Sequence, residues 1–98
     1  MTMSKVSVRV VDWQRNAALR EIRHAVFVQE QQVPIELEWD EYDSVATHFM
    51  LMLEDEQQPA TAIGTARLLP EGSIGRVAIL PPYRGLGYGR VLMLEVMA

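Results

Sequence analysis

The sequence predicts an α+β domain in which helices flank a mainly antiparallel sheet. Three observations carry that expectation. Apolar residues alternate at period two near the N-terminus, recur at helical spacing from Ala18 to Val26, and then form three strand-length runs joined by short turns. The 98 residues fit a single domain spanning 1–98, with no repeats, low-complexity tracts or linkers. By size scaling such a domain buries roughly 65% of its unfolded surface.

Val6, Val8 and Val10 alternate with Ser7, Arg9 and Val11, the pattern of a half-buried strand. Asp12 or Asn16 caps the helix that follows. Its Leu19, Ile22 and Val26 stripe, with Ala18 and Ala25, faces a core, while Arg15, Arg20, Glu21 and Arg23 fall mostly elsewhere. This helix runs to about Gln31, and Pro34 closes it. Ile35 to Thr47 is acidic and aperiodic, a loop or one short helical turn, with Trp39 and Tyr42 pinning it to the body.

His48 to Leu53 is a continuous apolar run, followed by the turn Glu54 to Pro59. Ala60 to Leu69 is a second strand, in which Gly64 marks a bulge or a close backbone approach. Pro70-Glu71-Gly72-Ser73 turns the chain into a third strand, Ile74 to Leu80, which Pro81-Pro82 stops. Connections this short make the three an antiparallel meander. A glycine-rich loop then leads into a helix starting near Tyr88 or Gly89.

Composition narrows the function classes. A net charge of −4 argues against a general nucleic-acid binder, and no run approaches the roughly 20 apolar residues of a membrane span. Met1-Thr2-Met3-Ser4-Lys5 has no apolar segment behind it and does not read as a secretory signal. Absence of cysteine excludes disulfides and thiolate metal sites and suits the reducing cytoplasm. His24 and His48 are too far apart in sequence for a zinc pair, and the acids around Asp40 lack calcium-loop spacing, so no metal is expected. The charge is uneven: nine of the thirteen acids lie from Glu30 to Glu56, and four arginines follow from Arg67 onward. Either a cation region beside an anion region, or a solvated acidic loop with scattered arginines, fits that distribution.

The chemistry-bearing segment is Tyr83-Arg84-Gly85-Leu86-Gly87-Tyr88-Gly89-Arg90. Glycines at alternate positions let successive N–H groups point into one concavity, and the following helix aims its free N–H groups at the same place. Such a loop suits a phosphate or pyrophosphate. It is not a Walker loop, which needs a lysine after the glycines, nor a dinucleotide fingerprint, whose glycine spacing differs. Gly72-Ser73-Ile74-Gly75 does not have the spacing of a serine-hydrolase elbow.

Arg84-Gly85-Leu86-Gly87-Tyr88-Gly89 resembles the pyrophosphate loop of the GNAT superfamily of acyl-CoA-dependent N-acyltransferases. Gly75 to Tyr83 is similar to the strand that leads into that loop. Upstream, Arg23 to Gln31, then Glu38, Asp40, Asp43 and His48, resembles a branch of small GNAT enzymes, so the likeness covers nearly the whole chain. It implies acetyl-CoA as co-substrate and a small-molecule or peptide amine as acceptor, attacking the thioester directly in a ternary complex. It places the pantetheine arm along the backbone of Val77, Ala78 and Ile79, and the pyrophosphate on Arg84, Gly85, Leu86, Gly87, Tyr88 and Gly89. A base or water chain must remove the amine proton, and Glu30, Glu38, Asp40, Asp43 and His48 are the candidate bases. Arg67 and Arg76 pair with the acidic segment.

In that family further strands and a helix follow, commonly with a tyrosine that protonates the leaving thiolate; Tyr83 and Tyr88 do not match its position. This chain stops within an apolar helical run at Glu95-Val96-Met97-Ala98. The resemblance therefore implies a GNAT fold with its C-terminal part missing, a final helix buried on several sides, and an open strand edge or apolar helix suited to a homodimer. A CoA- or phosphate-binding module without turnover, or an inactive fragment, is the competing expectation.

Overall fold

The computed structural model describes residues 5–55 and 59–98. The N-terminal reading of Met1 to Ser4 and the middle of the turn between Glu54 and Pro59 lie outside the described residues. Strands β1 (Lys5–Val11), β2 (Thr47–Glu54), β3 (Thr61–Leu68) and β4 (Ile74–Ile79) form one sheet in the order β1-β2-β3-β4, every pairing antiparallel. Helix α1 (Ala17–Arg23) continues as wider π-helical turns over His24–Glu30. A single turn, α2 (Ile35–Glu38), and a 3₁₀ turn at Glu41–Ser44 follow, and α3 (Tyr88–Met97) ends the chain. Among the described residues no helix is long and apolar enough to cross a membrane.

The sheet has a helix on each face, which explains the unbroken apolar run of β2. Phe49, Leu51 and Leu53 point toward α3, where Leu51, Ile63, Ala66, Leu92 and Val96 form a buried cluster. Met50 and Met52, one residue out of phase, point the other way and pack with Leu19 of α1. Ile22 and Val26 complete this second layer against Ala78 of β4. The α1 stripe therefore faces the sheet as its spacing predicts, and Asn16, not Asp12, caps the helix: its Oδ1 accepts the Leu19 N–H at 3.1 Å.

Three expectations need correction. The acidic segment forms two helical turns instead of one, because Asp40 and Asp43 cap the 3₁₀ turn reciprocally. Tyr42 is half exposed and does not pin that segment; Trp39 does, lying 5.6 Å from Trp13. Finally, α3 is buried on one side only, through Leu92 and Val96, while Leu94 and Met97 are exposed.

Gly64 has the close approach its place in a strand suggests. A Cβ there would sit 2.7 Å from Ile79 Cδ1 and 2.9 Å from the Ala78 carbonyl oxygen. The β2–β3 register also shifts opposite it, between Leu51 and Met52. A second shift, between Thr65 and Arg67, gives β4 an extra residue. There Arg76 adopts a left-handed φ of 51°, unusual for a residue with a side chain. The bulge thus lies on the edge strand that leads into the glycine loop.

Candidate active site

The loop grows out of β4 by a sequence of local constraints. Pro81 and Pro82 cannot extend a strand and instead form a 3₁₀ turn with Tyr83. Gly85 and Gly87 then take left-handed φ values of 77° and 85°, and Gly87 becomes the N-cap of α3. A Cβ added at Gly85 or Gly87 would meet nothing within 4 Å, so these glycines border open space. The first loop-to-helix bond is Val91 N–H to Gly87 O, so the N–H groups of Tyr88, Gly89 and Arg90 stand outside the helix ladder. Successive unpartnered donors at a helix N-terminus form a cradle for an oxyanion.

Along β4, the Leu80 N–H donates to Ile63 O, which fixes the alternation of the strand. The backbone of Ala78 faces β3, and the N–H groups of Val77 and Ile79 face the open edge. Val77, Ala78 and Ile79 thus do not offer equivalent donors.

Arg84 is committed elsewhere. Its Nε donates to Ile79 O at 2.8 Å, and its terminal nitrogens grip Glu30 of the π-helical turns at 2.6 and 2.7 Å. This hydrogen-bonded pair holds the Glu30 carboxyl below the usual carboxylate range. It also ties the start of the loop to the end of the long helix.

Glu38, Asp40 and Asp43 come together with three arginines from three elements. Arg23 is on α1, Arg67 on β3 and Arg76 on β4. Six charges alternate in a closed ring. Arg23 contacts Glu38 at 2.5 Å, Glu38 contacts Arg76 at 3.4 Å, and Arg76 contacts Asp40 at 3.2 Å. Asp40 meets Arg67 at 2.7 Å, Arg67 meets Asp43 at 3.0 Å, and Asp43 returns to Arg23 at 2.7 Å. Arg23, Glu38 and Asp43 are each 1% exposed. Arg23, expected on the polar side of its helix, is therefore core. Its guanidinium stacks 4.8 Å over Trp39 and 5.7 Å from Trp13. Burial acts to raise the Asp43 carboxyl, but the hydrogen bonds from Arg23 and Arg67 prevail and hold it below its ordinary value. Burial likewise opposes the charge on Arg67, and Asp40 and Asp43 outweigh it.

Glu30, Glu38, Asp40 and Asp43 are thus paired within the chain, and Arg67 and Arg76 pair with the acids as expected. The inward position of Arg23 was the missing piece. Its spacing from Leu19 and Val26 (four before, three after) places it on the buried stripe, a signal its charge hides. His48 is buried at the start of β2, and its ring lies 5.7 Å from Trp13. Its Nε2 is 2.8 Å from the Asp43 carbonyl oxygen, an acceptor, so Nε2 carries a proton. Glu30 stands apart from this group, at the loop. An open groove of about 470 Å³, lined by Arg20, Glu21, His24, Gln29, Ile35 and Trp39, lies beside the ring.

The frame is three-layered, helix on sheet on helix, and its bulged edge strand feeds an open loop of a kind suited to an anion. The profile of the acetyltransferase (GNAT) family matches residues 13–98, and the chain belongs to that family. A Bacillus subtilis (strain 168) protein provisionally named an acetyltransferase is 41% identical over 76 residues, which cover 74% of this chain and 50% of the relative. The crystal structure of a provisionally named N-acetyltransferase from Lactobacillus plantarum is 32% identical, with a TM-score of 0.69 over 94% of this chain and 63% of the other. That of an acyl-CoA N-acyltransferase from Pseudomonas aeruginosa is 30% identical, with a TM-score of 0.68 over 97% and 67%. The chain spans about half the length of the curated relatives it matches.

Proposed function

We propose that the protein is a cytoplasmic N-acetyltransferase that moves an acetyl group from acetyl-CoA to a primary amine by direct attack in a ternary complex. The observation that carries this reading is the juxtaposition of the open β4 edge with the Gly85–Gly89 cradle, in a chain of the acetyltransferase family. The cradle fits a diphosphate: the N–H groups of Tyr88, Gly89 and Arg90 stand outside the helix ladder, and the space a Cβ would fill at Gly85 and Gly87 is free. Acyl-CoA, when bound, supplies the activated acyl thioester.

The chain's own residues then have distinct tasks. Arg84, Gly85, Leu86, Gly87, Tyr88 and Gly89 hold the phosphates through backbone donors, while the Arg84 side chain braces the loop against Glu30. Val77 and Ile79 offer edge N–H groups to the pantetheine amide or the thioester oxygen, with Ala78 anchoring the strand on β3. Glu38 and Asp43 are already partners of buried arginines, and Glu30 is held ionised by Arg84. A carboxylate so stabilised is a weak base. We assign Glu30, Glu38, Asp43 and His48 to holding the architecture, and the amine proton to water in the open groove beside α1. The ring neutralises Glu38, Asp40 and Asp43, so these three acids give the acceptor no special preference for a cation.

Release of free thiol from acetyl-CoA with a panel of primary amines tests this reading. Turnover with at least one amine is expected, and Glu30→Gln is expected to keep kcat within about threefold. CoA binding without thiol release for any amine would leave a binding module instead. No thermal shift with millimolar acetyl-CoA would remove both.

A further inference from the structure

The charge ring touches the proposed donor strand at one residue, Arg76, and that residue is the one with a left-handed backbone. A residue with a Cβ held at positive φ is strained and persists only where its surroundings impose it. Here the surroundings are visible. The Arg76 side chain reaches Glu38 and Asp40 and also donates to the carbonyls of Leu37 and Glu38, at 3.3 and 3.2 Å. Its own carbonyl accepts from Thr65 Oγ1 at 3.4 Å. Glycine, the natural occupant of such a bulge, stands one position earlier, at Gly75, where φ is not positive. The bulge is therefore imposed by the side chain of Arg76 and not by local backbone preference.

We propose that Arg76 is a positioning residue. By closing the ring it fixes the β4 bulge, and so sets the Val77 and Ile79 edge and the 38–43 segment in one fixed relation. This inference rests on the acetyltransferase reading for the identity of the ligand. Arg67 Nε and Arg76 Nε are buried without hydrogen-bond partners; Arg76 Nε meets the Glu38 carboxylate only as a 3.4 Å charge contact, while a terminal nitrogen donates to Asp40 and the two carbonyls. A lysine supplies one compact charge and cannot span two carboxylates and two carbonyls.

The test compares wild type, Arg76→Gly and Arg76→Lys by two readouts. One is CoA affinity by titration calorimetry; the other is the amide NMR shifts of Val77 and Ile79 without ligand. Arg76→Gly relieves the local strain, so a purely local role would leave CoA affinity and the Ile79 amide unchanged, with Val77 shifting only as the neighbour of the replaced residue. We expect instead at least a tenfold loss of affinity, with Val77 and Ile79 shifted and Gly85 to Tyr88 unmoved. Arg76→Lys is expected to lose three- to tenfold, and it decides the matter if the glycine variant does not fold. Wild-type affinity, or lost affinity with an unshifted Ile79 amide, overturns the proposal. If wild type itself does not bind CoA at millimolar concentration, the acetyltransferase reading fails, and the ligand-free shifts still judge the ring.

Discussion

Gly64 and Gly75 form a matched pair for testing how β4 is held. Neither has a positive φ, so alanine fits the backbone at both, and each substitution gains about 0.4–1 kcal/mol by restricting the unfolded chain. Their surroundings differ. At Gly75 a Cβ meets nothing within 4 Å, whereas at Gly64 it comes within 2.9 Å of the Ala78 carbonyl oxygen and 2.7 Å of Ile79 Cδ1. The Ile79 side chain can turn aside, but the Ala78 carbonyl belongs to β4, and the strand itself must retreat. Overpacking of this kind costs about 1–3 kcal/mol. Gly75→Ala is therefore expected to stabilise by about 0.4–1 kcal/mol and Gly64→Ala to destabilise by about 0.5–2 kcal/mol. Urea unfolding of both variants, with the m-value as a check on two-state behaviour, measures the difference. Two substitutions of the same sign and size would refute the close β3–β4 contact.

Other outcomes follow from the core, the ring and the loop. Leu51→Ala removes a side chain with 0% exposure and is expected to cost about 2–5 kcal/mol by thermal or urea unfolding. Asp43→Asn leaves Arg23 and Arg67 without a shared counter-ion and is expected to cost about 3–5 kcal/mol. The native Asp43 carboxyl lies below its unfolded value, so its contribution is full above the ordinary carboxylate pKa and is lost as pH falls through the lowered one. A stability–pH curve of the Asn variant is expected to lose that acid limb. Glu30 has the same sign, and the loop amides are expected to keep their NMR shifts at neutral pH and to move on acidification below the ordinary carboxylate range. Gly87→Asp puts a carboxylate into the cradle and is expected to abolish CoA binding in calorimetry while the circular dichroism spectrum is retained.

Local periodicity revealed most of the fold. The three later strands, their turns and the α1 stripe are each written within a few residues, and the proline stop and glycine loop are consequences of restricted φ that any reader of the chain can apply. The continuous run of β2 reads as a strand by its length, but its two faces become clear only once α1 and α3 are placed. Legibility fails for the site where contacts are long-range. Arg23, Arg67 and Arg76 come from three separate elements; the pairing of Arg67 and Arg76 with the acids was expected, whereas the buried place of Arg23, written in its spacing from Leu19 and Val26, is hidden by its charge. Likewise the left-handed φ of Arg76 has no sequence signature, because Gly75 advertises the adjacent position. The acids of the 38–43 segment fitted either a cation region or a solvated loop while their partners, up to 38 residues away, were unplaced.

The central claim is that the cradle after β4 holds the diphosphate of CoA. Its most direct test is an amide NMR titration of the ¹⁵N-labelled protein with CoA. Saturable shifts are expected at Gly85, Leu86, Gly87, Tyr88 and Gly89 and at Val77 and Ile79 along the edge, with Lys5 to Val11 unaffected. Saturable shifts confined to other parts of the molecule, or none at millimolar CoA, would contradict it.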